Sequence, residues 1–172
     1  GGIWRDGRGT NITDSGSHFY DAYECADGKW ITVGPIEDKF YLELLRLLDI
    51  DPRTLGVQLD EKNWAAARAL FALKFKSRTR DQWTTLLEHS DACFAPVLSW
   101  TEAPEHAHLK ARGTFIEVDG IVQPAPAPRF SATVPAKPTA PEAPGAATVD
   151  AALAAWLEPD LIGKLKEAGT LA

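Results

Sequence analysis

The chain has 172 residues, of which 45% are apolar and 24% charged, enough for one globular domain with a real core. Its formal charge of −6 argues against nonspecific binding to nucleic acid or to an anionic membrane, both of which need clustered Lys and Arg. No apolar run approaches the roughly 18 residues of a membrane-spanning helix, and two cysteines are no disulfide framework.

Residues 1–18 are rich in Gly, Ser, Thr, Asp and Asn and read as an extended connecting segment. Residues 19–25 alternate large and polar side chains as a half-buried strand does. Asp27-Gly28 predicts a two-residue hairpin turn, with Lys29 to Gly34 as the returning strand. Pro35 breaks that strand. From Asp38 to Leu48 the apolar residues Phe40, Tyr41, Leu44, Leu45, Leu47 and Leu48 fall at helical spacing with one buried face. A second helix is predicted over 61–75, with Trp64, Ala67, Leu70, Phe71 and Phe75 inward. Thr79-Arg80-Asp81-Gln82 is a capping box that opens a third, whose inner face is Trp83, Leu86 and Leu87.

Phe94-Ala95-Pro96-Val97-Leu98 reads as an edge strand, because proline donates nothing to a ladder. Thr101 is expected to cap a short helix containing Pro104. Thr114–Val118 and Ile121-Val122, joined at Asp119-Gly120, read as a second hairpin. Residues 124–144 hold seven of the twelve prolines and should lack regular structure. Two short helices come next, over 148–156 and 159–168, the latter with proline at its start and Gly169 past its end. This order of elements predicts an α+β domain with segregated helices and hairpins. The division expected is 1–18 connecting segment, 19–122 small α+β domain, and 123–172 Pro-rich linker with C-terminal helices.

Three stretches go further. The first runs Arg8-Gly9-Thr10-Asn11-Ile12-Thr13-Asp14, then Phe19 to Lys29, then Val33-Gly34-Pro35-Ile36-Glu37-Asp38-Lys39-Phe40. The second runs from Cys93-Phe94-Ala95-Pro96-Val97 through Glu105-His106-Ala107-His108-Leu109-Lys110-Ala111-Arg112-Gly113. The third is Asp160-Leu161-Ile162-Gly163-Lys164-Leu165-Lys166-Glu167-Ala168-Gly169. In this order and spacing they resemble the C-terminal half of the α-methylacyl-CoA racemases and related family III CoA-transferases (CaiB/BaiF type), over essentially the whole chain. The first stretch carries most of the resemblance.

The resemblance implies a two-domain parent, a large Rossmann-like domain and this small α+β domain, with two subunits interlocked as a homodimer. The Pro-rich tail and last helices would return to that large domain. The absence of methionine fits a processed, truncated or internal piece. The implied chemistry is inversion at the carbon next to a thioester carbonyl: a base removes the α-proton, an enolate forms, and an acid returns a proton to the other face. The His and Asp that racemases use lie in the N-terminal half and are not in this chain, and Asp14 is not the equivalent of that Asp. The implied substrate is a coenzyme A thioester, with no covalently bound cofactor.

Glu37 matches the glutamate that hydrogen-bonds and orients the catalytic His. Spacing alone makes it a helix-start carboxylate suited to the dipole, and the surrounding motif reverses that reading. Tyr20 and Ile36 match positions lining the acyl-chain surface, although the residues alone read as ordinary hairpin core. Thr13 is the third substrate-side position and stands where the pattern usually has Leu. Ser15, Ser17 and His18 replace a usual Gly, Ala and Pro, which would make the pocket more polar.

Cys25 and Cys93 read as small buried hydrophobes. A reducing cytoplasm fits them, and the Ala and Pro content suits a GC-rich bacterial source. His106 and His108 without a third ligand are a weak metal signal, and no metal is expected. Arg5, Arg8, Lys29 and Lys39 would suit CoA phosphates, but a solvated face accounts for them. Three functions are open at this point: an acyl-CoA racemase inactive without its N-terminal half, a CoA-transferase of the same family, and a non-catalytic folding or dimerisation domain.

Overall fold

The computed structural model describes residues 2, 4–141 and 146–171, and of 146–148 the backbone only. It divides into two compact units, Gly1–Ala103 and Pro104–Ala172. The connecting segment 1–18 therefore joins the first unit, and the second hairpin belongs to the second.

The first unit is a three-stranded antiparallel sheet with helices on one face. Strands β1 (Asp21–Glu24), β2 (Trp30–Val33) and β3 (Phe94–Pro96) lie in the order β1-β2-β3, so the proline-containing strand is an edge, as expected. Glu24 faces Trp30 across the first pair, and Ile31 faces Pro96 across the second. The turn between β1 and β2 differs from the two-residue form. The Cys25 N–H donates to Lys29 O (2.8 Å), leaving Ala26-Asp27-Gly28 as a three-residue loop. Only Gly28 takes a left-handed φ (75°), the single such residue that loop needs.

Helices α1 (Asp38–Leu47), α2 (Glu61–Phe75) and α3 (Arg80–Leu87) form where periodicity places them. Tyr41, Leu44, Leu45 and Leu48 come from the first, Trp64, Ala67, Phe71 and Phe75 from the second, and Trp83 and Leu87 from the third. With Phe19, Tyr23, Ile31 and Val33 they make one continuous core. Its aromatic rings meet mostly edge-on, as in Phe75 on Trp83 at 5.3 Å between centroids, the arrangement ring quadrupoles favour. Trp83 also donates its indole N–H to Phe75 O (2.9 Å), so a large buried side chain carries no unpaired donor. The Thr79 capping box is complete, with Thr79 Oγ1 accepting from Gln82 N (3.2 Å) and Gln82 Oε1 accepting from Thr79 N (3.0 Å).

The opposite face of the sheet is solvent-facing. Ala22, Thr32 and Ala95 form one exposed cross-strand row, and Trp30 and Val97 stand exposed beside it.

Ser99 rather than Thr101 caps the turn at residues 99–103. Ser99 Oγ accepts from Glu102 N (3.2 Å) and Ser99 O from Ala103 N (2.9 Å), and the chain then makes a single 3₁₀ turn, Ala103–Glu105. Glu102 closes on the buried Arg80 through two bonds (2.9 and 2.7 Å) and on Lys29 (2.9 Å). Arg80 first, then the Ser99 N–H and Lys29, hold its carboxyl well below the usual range.

In the second unit, α4 (Ala107–Ala111) precedes the hairpin β4 (Phe115–Val118) and β5 (Ile121–Pro124). Asp119 (φ 51°) and Gly120 (φ 80°) are both left-handed, the two-residue turn predicted. The described part of the Pro-rich stretch beyond Pro124 has no helix or strand, and α5 (Ala146–Ala154) and α6 (Pro159–Glu167) complete the unit. Residues 142–145 of the predicted Pro-rich segment lie outside the described residues.

Candidate active-site corner

The first motif is a self-locked loop. Asn11 exchanges hydrogen bonds with the Arg5 backbone (2.9 Å each way), and Asp14 accepts from Asn11 N (2.7 Å), Asn11 Nδ2 (2.8 Å) and Gly9 N (3.2 Å). The segment Ile12–Gly16 is one wide helical turn closed by Gly16 N to Asn11 O (3.0 Å). Residues 4–18 are thus folded rather than extended, because Asn11 and Asp14 supply partners the backbone alone lacks. Arg68 of α2 clamps it, donating to the carbonyls of Ser15, Gly16 (3.1 Å) and Ser17 (3.2 Å) and pairing with Asp21. Thr13 lines a cleft of about 250 Å³ with Trp4, Arg5 and Trp64, whose walls do not include Tyr20, Ile36 or Glu37.

Ser17 and His18 are fully buried. Their polarity is spent inside the unit: Ser17 Oγ donates to Ile12 O (2.8 Å), and His18 Nε2 bonds Tyr41 Oη (2.7 Å). They do not make an acyl surface polar. Desolvation, then the nearby Arg68 charge, lowers the His18 pKa from 6.5 to about 4, so the ring is neutral.

Tyr20, Ile36 and Glu37 lie around the corner where β2 gives way to α1. Tyr20 (37% exposed) and Ile36 (39%) are surface residues, which corrects the hairpin-core reading. The Tyr20 ring lies against Gly34, where a Cβ would sit 3.3 Å from Tyr20 Cε2; glycine is what admits the ring. Glu37 occupies the N-cap of α1 with an exposed side chain that makes no capping hydrogen bond to its own helix.

The backbone of this corner is tightly held. The Gly34 N–H donates to Cys93 O (2.9 Å). Gln58 donates through Nε2 to Pro35 O (3.0 Å) and Ile36 O (3.1 Å). Glu37 O accepts from Phe40 N and Tyr41 N (3.0 Å each). Trp64 in turn donates to Gln58 O (2.9 Å). Sequence reasoning passed over Gln58, because a lone amide in a loop between two helices has no periodicity or motif to mark it.

Cys93 also corrects an expectation. Cys25 is buried, but Cys93 is exposed, because its left-handed backbone (φ 50°) ahead of β3 turns the side chain out. Desolvation first, then the carboxylates of Glu37 and Asp91, raise its thiol pKa, so Cys93 is near Glu37 and protonated. Of the scattered bases, Arg5 pairs with Glu61, Lys29 with Glu102, and Lys39 lies over the Phe40 ring (4.5 Å). His106 is the N-cap of α4 and His108 lies within it. Among the described residues no group of three or more His, Cys, Asp or Glu side chains is placed to hold a metal ion. Among the same residues no helix is long and apolar enough to cross a membrane.

The first unit thus has an exposed sheet face and, at the β2–α1 corner, an exposed Glu37 on a hydrogen-bonded backbone. The model of CoA-transferase family III matches residues 4–148, and the chain belongs to that family. It is 40% identical over 141 residues to the α-methylacyl-CoA racemase of Mus musculus, covering 81% of this chain and 36% of that protein. The Homo sapiens racemase is 37% identical over 127 residues, covering 73% of this chain and 33% of that protein. The chain therefore spans about a third of the length of the curated relatives it matches. Among solved structures, Rv3272 from M. tuberculosis superposes with a TM-score of 0.57 at 18% identity, covering 70% of this chain and 36% of that one, a likeness of fold.

Proposed function

We propose that this chain is the C-terminal part of an acyl-CoA racemase that epimerises the α-carbon of a 2-methylacyl-CoA thioester through an enolate. The observation that carries the reading is Glu37: an exposed carboxylate on a backbone held at both flanking peptides, in a chain 40% identical to an α-methylacyl-CoA racemase. In this reading Glu37 accepts a hydrogen bond from the imidazole that moves the α-proton. A carboxylate so placed selects the tautomer and stabilises the imidazolium that forms on proton abstraction. In this reading Tyr20 and Ile36, both partly exposed, offer the apolar surface on which the acyl chain lies. Thr13, at its separate cleft, would meet substrate only outside the acyl subsite.

The proton-transfer His and Asp and the oxyanion donors come from the part of the relatives' length that this chain does not span, within an interlocked homodimer. The racemase reading is preferred over transfer of CoA between carboxylic acids because the chain is 40% identical to an α-methylacyl-CoA racemase and because Ser17 and His18, two of the three polar departures, are turned inward, Ser15 remaining exposed. The test is α-proton exchange of a 2-methylacyl-CoA into deuterated water. The 172-residue chain alone should give none, and the longer protein carrying it should exchange the proton and interconvert the epimers. Exchange by the chain alone contradicts the requirement for residues outside it.

A further inference from the structure

We infer that Gln58 is a positioning residue for Glu37, an inference that rests on the racemase reading above. Glu37 sits at φ −75°, ψ 139°, an extended residue at the head of a helix. The direction of its Cα–Cβ bond depends on the two peptide planes that flank it. The later plane is held because Glu37 O accepts from Phe40 N and Tyr41 N (3.0 Å each). The preceding plane contains Ile36 O and the nitrogen of Glu37 itself. Gln58 Nε2 holds that oxygen at 3.1 Å and holds Pro35 O, one peptide earlier, at 3.0 Å.

The Gln58 amide nitrogen carries two N–H donors, enough for one to each carbonyl, and this pairing orients the amide. Gln58 is buried at 8% exposure, its backbone carbonyl accepts from the Trp64 indole N–H (2.9 Å), and its side-chain Oε1 is buried without a partner among the described residues. The chain of support therefore runs from the Trp64 side chain in the core, through the Gln58 backbone and amide, to the Ile36–Glu37 peptide. Without it, Pro35 and Ile36 lose this side-chain anchor, and the Glu37 carboxylate samples directions that miss the imidazole. Placing such a group within a fraction of an ångström is what a proton-transfer site requires.

The test is a double-mutant cycle on α-proton exchange in the longer protein carrying this sequence. Gln58→Met removes both donors while keeping length and apolar packing. It should lower kcat about tenfold with KM little changed and shift the pH profile in the same sense as Glu37→Gln. The combination Glu37→Gln/Gln58→Met should be no slower than Glu37→Gln alone, because Gln58 acts only through Glu37. If the two losses multiply, or if Gln58→Met leaves kcat unchanged while Glu37→Gln lowers it, the role of Gln58 is overturned. If Glu37→Gln itself leaves the rate unchanged, the racemase reading of Glu37 fails first. Should Gln58→Met not fold, Gln58→Leu also removes the paired donors and adds no buried charge, and the same outcomes apply.

Discussion

The buried His18 should make the first unit sensitive to acid in a defined window. Its ring is fully buried among Phe19, Tyr41 and Phe71, edge-on to each at 5.2–5.6 Å. Nε2 bonds Tyr41 Oη, and Nδ1 is buried without a partner among the described residues. Whichever tautomer is present, protonation puts a charged N–H at Nδ1 with no acceptor, next to the Arg68 charge. Lowering the pKa from 6.5 to about 4 makes charging the ring in the folded chain about 3 kcal/mol less favourable than in the unfolded chain. The unfolded chain then binds more protons than the folded one between those two values, so stability rises with pH. His18 contributes fully above about pH 6.5, its contribution falls as pH drops toward 4, and below that it is constant. Glu102, held low by Arg80, adds acid sensitivity below the ordinary carboxylate range. Comparison with His18→Gln separates the two. Urea midpoints of both chains should be read from about pH 7.5 to about pH 4. The wild type should lose about 3 kcal/mol more than the variant over that range. Parallel loss in both chains refutes the reasoning.

Gly16→Ala should prevent the loop from closing, since its Cβ would lie 2.3 Å from Asn11 O and 2.7 Å from Asn11 N, both rigid backbone atoms. Circular dichroism melting should show a loss of more than about 3 kcal/mol, and a variant of native stability would contradict the self-locked loop. Thr79→Ala removes one half of the capping box and should lower stability by about 1 kcal/mol in urea titration, with Thr79→Ser restoring most of it. An unchanged midpoint would mean that the cap is replaced by water.

The helices were legible because their signals are local. Tyr41, Leu44, Leu45 and Leu48 recur at a helical period, and Thr79 and Gln82 make a cap from three residues' separation. Turn chemistry was legible where both residues needed a left-handed backbone, at Asp119-Gly120, and misleading where only Gly28 did. What the sequence hid is long-range. Nothing local says that Cys93 will turn outward on a left-handed backbone, that Ser17 and His18 will face the core, or that Gln58 will reach carbonyls 22 and 23 positions earlier. Glu37 was singled out only through its surrounding motif, because the hydrogen bonds that hold its backbone come from Gln58 and from α1.

In the proposed reaction this chain contributes an orienting carboxylate to thioester α-proton transfer. The deciding quantity is the rate of α-proton exchange of a 2-methylacyl-CoA in deuterated water, by the longer protein with Glu37 intact and with Glu37→Gln. The substitution should lower kcat by at least about tenfold, with KM nearly unchanged and the fold retained. Equal exchange by the two proteins would contradict that role for Glu37.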